Sequence, residues 1–458
     1  MSPAPGGPLA TLPHYQPRDA ASPERTEASV WWLDPGGLAP WAVAALLRHA
    51  LLPRESLFRD VDRVLVTLPQ VMRGAEEDRL AERLLSALAG TVGAYVASGA
   101  RDVSLSGGVD SAALCALAAH EATGQVRAWT MDVHFADAVE RHNARTMARV
   151  AGVELVDVPV PDAVLPDLFE AAVLSNETPL INARAVASFA FYAEARRHGA
   201  SVMLSGAGAD EVLLGNPEAL AGARARVEED RRLAHEVLRT SQVANQDAGN
   251  GTREPAVEHR RAASKASPSS TVGNLGTRAT EDAPWALSPD EGRSEELRYA
   301  AWVLRELVLP PELRGARAHG LTVYTPYLDP GFANLALALP RSVLVRDGAG
   351  KWLFRHAVRA LVPDEVRLAR KTPRYAHTAL SSPVRDRWLE LYRAWLSPSR
   401  LEPLEVINPT AVLALLDRYT RLPPDAPEAS GMDRLLMRLV SLAMLHARCR
   451  SRPPCPES

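Results

Sequence analysis

Two short glycine-rich turns, each bearing an acid and each directly following a run of apolar residues, constrain this chain more than any other feature. The first is Ser106-Gly107-Gly108-Val109-Asp110-Ser111; the second is Ser205-Gly206-Ala207-Gly208-Ala209-Asp210-Glu211. Around them, strand-like and helix-like stretches alternate. Strands are predicted over 103–105, 126–133, 153–160 and 201–204, and helices over 112–122, 138–150 and 183–197. Repeated βα units of this kind require a parallel sheet with helices on both faces, so the fold class is α/β. Ligands of such sheets bind at the carboxyl ends of the strands, and both turns fall there.

The rest of the chain divides around this core. Residues 1–28 are rich in Pro, Ala and Gly without periodicity and read as a disordered N-terminus. Residues 29–100 read as a lead-in, with helices over 40–52 and 76–97 and a strand over 63–68. The α/β core spans 101–240. Residues 241–293 are polar, almost without aromatics and aperiodic, and read as a disordered insertion. A mostly helical part follows over 294–450, with helices over 295–309, 351–361 and 432–447, then a short tail over 451–458.

Composition narrows the function. The chain has 458 residues and a net charge of −3, so no general positive field favours nucleic acid or an anionic membrane as a partner. No apolar run approaches the roughly 20 residues that span a bilayer, and no signal-peptide pattern opens the chain. Cys115, Cys449 and Cys455 form neither a disulfide framework nor a metal-binding cluster. A cytoplasmic enzyme or binding protein is expected. Of 52 basic residues only Lys265, Lys351 and Lys371 are lysines, so a lysine retained in so arginine-rich a chain is expected to be needed as lysine.

The turns themselves carry chemistry. In the first, two glycines let backbone N–H groups converge, and the following helix adds the positive end of its dipole. This arrangement suits phosphate or pyrophosphate. Asp110 would repel that phosphate unless a divalent cation lay between them, which suggests a Mg2+ ligand. The GxxxxGK[ST] loop of γ-phosphate-transferring enzymes is absent. Asp210 in the second turn supplies another carboxylate, placed to share the cation. The competing reading of either turn alone is a tight connection with an acidic helix cap.

The order LSGGVDS, LSGAGADE, TPYLD, KWLFRHAVRALVPDEV and RKTP resembles the synthetase domain of the asparagine synthetase superfamily, across about residues 60–222 and 295–375. The resemblance implies a PP-loop ATP-pyrophosphatase fold and a substrate carboxylate adenylated by ATP, then transferred to an amine. On that basis Leu105, Ser106, Gly107, Gly108, Asp110 and Ser111 bind ATP, Gly206 offers a backbone contact, and Asp110 and Asp210 hold Mg2+. Met131 stands where the family holds adenine, though an ordinary core methionine is an equal reading. Lys371, in RKTP, matches a lysine that stabilises charge as pyrophosphate leaves. Lys351 opens a predicted helix and serves either that site or the fold.

Three departures from the family pattern bear on the substrate. Glutamine-using members begin with a nucleophilic cysteine; here Ser2 follows Met1 and no cysteine precedes Cys115, so glutamine hydrolysis is not expected in this chain. Ala207 stands where asparagine-forming relatives carry Glu and β-lactam-forming relatives carry a Tyr that works with a later Glu. Glu306 is a candidate for that later carboxylate, acting as general base toward the amine, against the alternative of an exposed helix residue. Tyr324 replaces an Arg of the family, shaping the acceptor pocket or simply packed. Arg184 is a possible carboxylate or phosphate clamp by charge and fork geometry.

The expectation is an ATP- and Mg2+-dependent ligase similar to β-lactam synthetases and lasso-peptide macrolactam synthetases. Its substrates would be a small-molecule or peptide carboxylate and an amine, with a partner protein or carrier as a possible source. Alternatives are an asparagine synthase using free ammonia or a partner glutaminase, a non-catalytic nucleotide-binding homologue, or an RNA-modifying PP-loop enzyme. The last is disfavoured by the charge.

Overall fold

Along each core strand, neighbouring side chains point to opposite faces, so a strand buried on both sides must be apolar throughout. The computed structural model describes residues 14–18, 27–49, 56–64, 76–134, 137–239, 283–285, 293–369 and 378–451. It contains a five-stranded parallel sheet built from β3 (Asp102–Ser104), β4 (Arg127–Asp132), β5 (Glu154–Pro159), β6 (Val202–Leu204) and β7 (Thr322–Tyr324). Trp129 of β4 and Met203 of β6 enter one core, while Ala128 and Leu204 enter the other.

Helices cover both faces. On the Trp129 face α6 (Ala183–Arg197) packs against β4 and β5, α5 (Leu165–Asn176) packs against α6, and the C-terminal helix Ala429–Ser451 packs against α5. The opposite face carries α2 (Glu77–Ala97), α3 (Val109–Glu121) and part of α4 (Ala138–Ala151). On α2 the buried residues Leu80, Leu84, Leu88, Val92 and Val96 repeat every fourth position and form one apolar stripe.

The spatial order is β5-β4-β3-β6-β7. The chain moves outward from β3 through β4 to β5, then returns across the sheet to β6 on the other side of β3. The carboxyl ends of β3 and β6 therefore flank the point where the winding reverses, which in open α/β sheets is the ligand crevice. Both glycine-rich turns emerge there, and the α7 helix (Ala209–Val212) follows the second.

Several expectations change. Helix α3 begins at Val109, so Asp110 and Ser111 lie in its first turn. The N-terminus is not wholly unstructured: β1 (His14–Pro17) pairs antiparallel with β2 (Val61–Val64), because the side chain of Arg18 reaches Asp62 and alternating residues tuck Tyr15 and Val61 inward. The proposed strand 63–68 is described only to residue 64, with its remainder outside the described residues. The insertion reading of 241–293 fails at 283–285, where Trp285 is buried between Tyr299 and Trp302 and donates to Glu295. The rest of that stretch, Arg293 excepted, lies outside the described residues.

Other elements were not read from sequence, among them α5, β7 and the long α8 (Ala219–Val237). The expected helix over 295–309 is α-helical only across Glu295–Val303. Wider π-helical turns then cover Leu304–Val308 and Pro310–Gly315. Pro310 and Pro311 offer no amide to an α-helical ladder, so a regular helix cannot continue. No described helix is long and apolar enough to cross a membrane.

Candidate active site

The β3 turn is shaped by a close approach that only glycine permits. Gly107 has φ +87°, and a Cβ there would run into the Glu140 carbonyl at the start of α4. Ser111 closes the turn: its Oγ accepts from Ser106 N at 3.1 Å and donates to Gly108 O at 3.1 Å. No side chain caps the N-terminus of α3. Its first amides and positive dipole end are thus oriented toward the crevice, as an anion requires.

The β6 turn packs directly on the first. A Cβ at Gly206 would lie 3.3 Å from Ser111 N and 3.4 Å from Asp110 Cβ, so the two turns touch. Gly208 has φ +90°, and any side chain there would overlap Leu328. Together the turns wall a cleft of about 420 Å³, in the size range of small-molecule sites. Leu105, Ser106, Gly107, Gly108, Asp110, Ser111, Met131, Gly206, Asp210 and Lys351 all line it. Met131 sits at the end of β4 beside Trp129 and Thr130, on the side of the cleft away from β6.

Lys351 joins the two acids. Its Nζ lies 2.6 Å from Asp210 Oδ1 and also contacts Asp110 Oδ2, with the side chain only 4% exposed. Burial alone would lower the pKa of this ammonium. Asp110 and Asp210 outweigh that and raise it above the usual lysine value, so it is charged. Four residues on, Arg355 also lines the cleft. Burial is the largest influence on Arg355 and lowers its pKa from the usual arginine range, with Asp110 and Asp210 opposing.

Mg2+ prefers oxygen ligands and is commonly held by one or two carboxylates together with phosphate oxygens. Asp110 and Asp210, which converge on one cationic point, fit that donor set. Among the described residues no group of three or more His, Cys, Asp or Glu forms a cage that could hold a metal unaided.

The far side of the cleft corrects the sequence reading of Glu306. That residue does not line the cleft, nor is it exposed. Its Oε1 pairs with Arg63 at 2.7 Å, both side chains being buried beneath the N-terminal segment. Glu312, six residues on and on a different face of the π-helical stretch, lines the cleft instead. Its Oε2 accepts from Tyr192 OH at 2.6 Å and from Ser205 Oγ at 2.8 Å. Burial first, then the Glu312 charge, hold the Tyr192 hydroxyl well above its usual pKa, so it remains a donor.

Ala207 also lines the cleft, as does the exposed Arg184. Tyr324 does not: it stacks on Tyr95 with ring centroids 4.4 Å apart and is packed. Lys371 lies outside the described residues. Sequence reasoning missed Tyr192, Glu312 and Arg355. The Lys351–Arg355 spacing of four on a helical run was a usable signal for Arg355. Tyr192 and Glu312 stand 120 residues apart and carried none.

A doubly wound sheet with two acid-bearing glycine turns at its reversal point, linked by a buried lysine, defines a nucleotide-dependent enzyme class. Residues 79–447 match the asparagine synthase family, and the chain belongs to it. The family's chemistry is ATP-dependent amide-forming ligation. No curated protein matches the chain.

Proposed function

We propose that the protein is an ATP- and Mg2+-dependent ligase that adenylates a substrate carboxylate and transfers the acyl group to an amine. On this reading it serves specialised-metabolite or peptide biosynthesis, in the manner of β-lactam and macrolactam synthetases. The observation that carries the reading is the Tyr192–Ser205–Glu312 group, which lines the same cleft as Asp110, Lys351 and Asp210. It supplies a base where a plain nucleotide-binding protein needs none.

The chemistry divides between two groups of cleft residues. Backbone amides of 106–110 and the α3 dipole bind phosphate oxygens; Asp110 and Asp210 would hold Mg2+, which would supply charge neutralisation for the phosphates. A substrate carboxylate oxygen attacks the α-phosphorus of ATP. The bond to the bridging oxygen breaks and pyrophosphate leaves with the electron pair, its developing charge met by Lys351, Arg355 and Lys371. The amine nitrogen then attacks the acyl carbon and AMP leaves. Glu312 takes the amine's proton, while hydrogen bonds from Tyr192 and Ser205 fix the carboxylate in place. The phenol that β-lactam-forming relatives place at position 207 is here supplied from α6.

Exchange of labelled pyrophosphate into ATP, screened across amino acids and peptides with Mg2+, tests this reading. Exchange is expected with a particular carboxylate and is lost in Asp110→Asn. A protein that binds ATP yet supports no exchange with any acid, carrier-borne candidates included, would sink it.

A further inference from the structure

Lys351 is fixed in place by the backbone around it. It is the only lysine among the described residues and adopts φ +61°, a left-handed conformation unfavourable for a side chain of its size. The turn before it is pressed against the chain after α7. A Cβ on Gly350 would overlap the Leu214 carbonyl, and one on Gly215 would overlap both the Asp210 carboxylate and the Lys351 stem. Leu214 also has positive φ, at +48°. Two strained residues and two glycines without room for a side chain thus fix the ammonium between Asp110 and Asp210.

That position is the one a bridging divalent cation needs. Mg2+ binds oxygen at about 2.0–2.1 Å, closer than an ammonium approaches, and a dication and an ammonium between the same oxygens repel. They cannot share the place. A bare cation would have to expel a buried ammonium paired with two carboxylates in return for those carboxylates alone. When nucleotide is present, phosphate oxygens add ligands to the metal and offer the ammonium a new anionic partner.

We propose that Lys351 is the counter-cation of Asp110 and Asp210 in the nucleotide-free protein: it holds the two acids in position and excludes a divalent ion until nucleotide arrives. This rests on the ATP-dependent reading above. Metal therefore enters with ATP and not before it, and the Lys351 side chain shifts when it does.

The scarcity of lysine makes this measurable in the whole 458-residue chain. With all lysines labelled at Cε, three signals are expected, and Lys265→Arg and Lys371→Arg identify that of Lys351 by elimination. Paramagnetic Mn2+ added alone is expected to leave the Lys351 signal intact. Mn2+ with ATP is expected to broaden it away, and Mg2+ with ATP to shift it. Broadening by Mn2+ alone overturns the inference while leaving the ligase reading untouched. So does an unmoved Lys351 signal when calorimetry shows that ATP and Mg2+ bind. If calorimetry finds no ATP binding, the ligase reading itself fails, and this inference with it.

Discussion

In the proposed reaction one carboxylate of two near neighbours does the acid–base work. Glu306 and Glu312 are alike in sequence, both acids in a helical stretch after the polar segment. Glu306 is neutralised by Arg63 on the side away from the cleft, whereas Glu312 is held by two neutral hydroxyl donors inside it. Hydrogen bonds from uncharged groups position a carboxylate without cancelling its charge, so Glu312 is held in place to take a proton from the amine. Glu312→Gln is therefore expected to leave pyrophosphate exchange near normal and to slow amide formation by about 10²–10⁴-fold. Tyr192→Phe should slow it less. An equal loss in both half-reactions would mean that Glu312 supports the cleft and not the amine step. At this scale the sequence showed which residue types were needed better than which copies. Asp110 and Asp210 were legible because the turns around them have a fixed pattern. Lys351 stood out because lysine is rare in the chain. Glu312 was not legible, since its partners come from α6 and the β6 turn.

At the scale of elements, the fold turns on places where a backbone must come close to another. The strands and turns of the core could be read from period and glycine placement, because each signal lies within a few residues. β7 could not: it has three residues, and it pairs with β6 across more than a hundred positions of chain. The π-helical turns were also illegible. A Pro-Pro pair announces that a helix is disturbed, but not that the disturbance carries Glu312 to one side and Arg305, Glu306 and Arg314 to the other. Gly107 and Gly152 separate conformational strain from close approach. Both have positive φ, but a Cβ at Gly152 meets nothing within 4 Å, while one at Gly107 meets the backbone of α4. Gly152→Ala is expected to cost about 1–2 kcal/mol, the penalty of a left-handed residue. Gly107→Ala should cost clearly more in denaturant unfolding and also abolish ATP binding. Equal losses in the two variants, with ATP binding kept, would refute the role given to that turn.

Across the whole molecule, segments distant in sequence are joined through buried polar groups. Arg314 pairs with Glu177 at 3.2 Å and donates to Ala28 O at 3.2 Å, tying the N-terminal segment to the end of α5 and to the π-helical turn Pro310–Gly315. In the C-terminal part, Asp433 accepts hydrogen bonds from Tyr392 and Tyr419 and so gathers three helices around one carboxylate. Neither junction was foreseeable, because a buried charge looks like a surface charge until its partner is known.

His446 stands at a third junction, on the C-terminal helix near Arg59 and Glu405. Burial foremost, and then the charges of Arg450 and Arg59, lower its pKa. His319, packed against Phe189, is lowered by burial as well. Both imidazoles are thus easier to protonate in the unfolded chain than in the folded one. Between the unfolded value, about 6.5, and the lower folded values, the unfolded state binds more protons, so stability rises with pH. The contribution is complete above about pH 6.5 and is lost as pH falls through the folded values. Thermal unfolding should therefore show a declining Tm as pH is lowered from 7 toward 5. The slope should be shallower in a His446→Gln, His319→Gln double variant, whose side chains cannot take up a proton. A slope unchanged by the double substitution would assign the acid sensitivity to other groups.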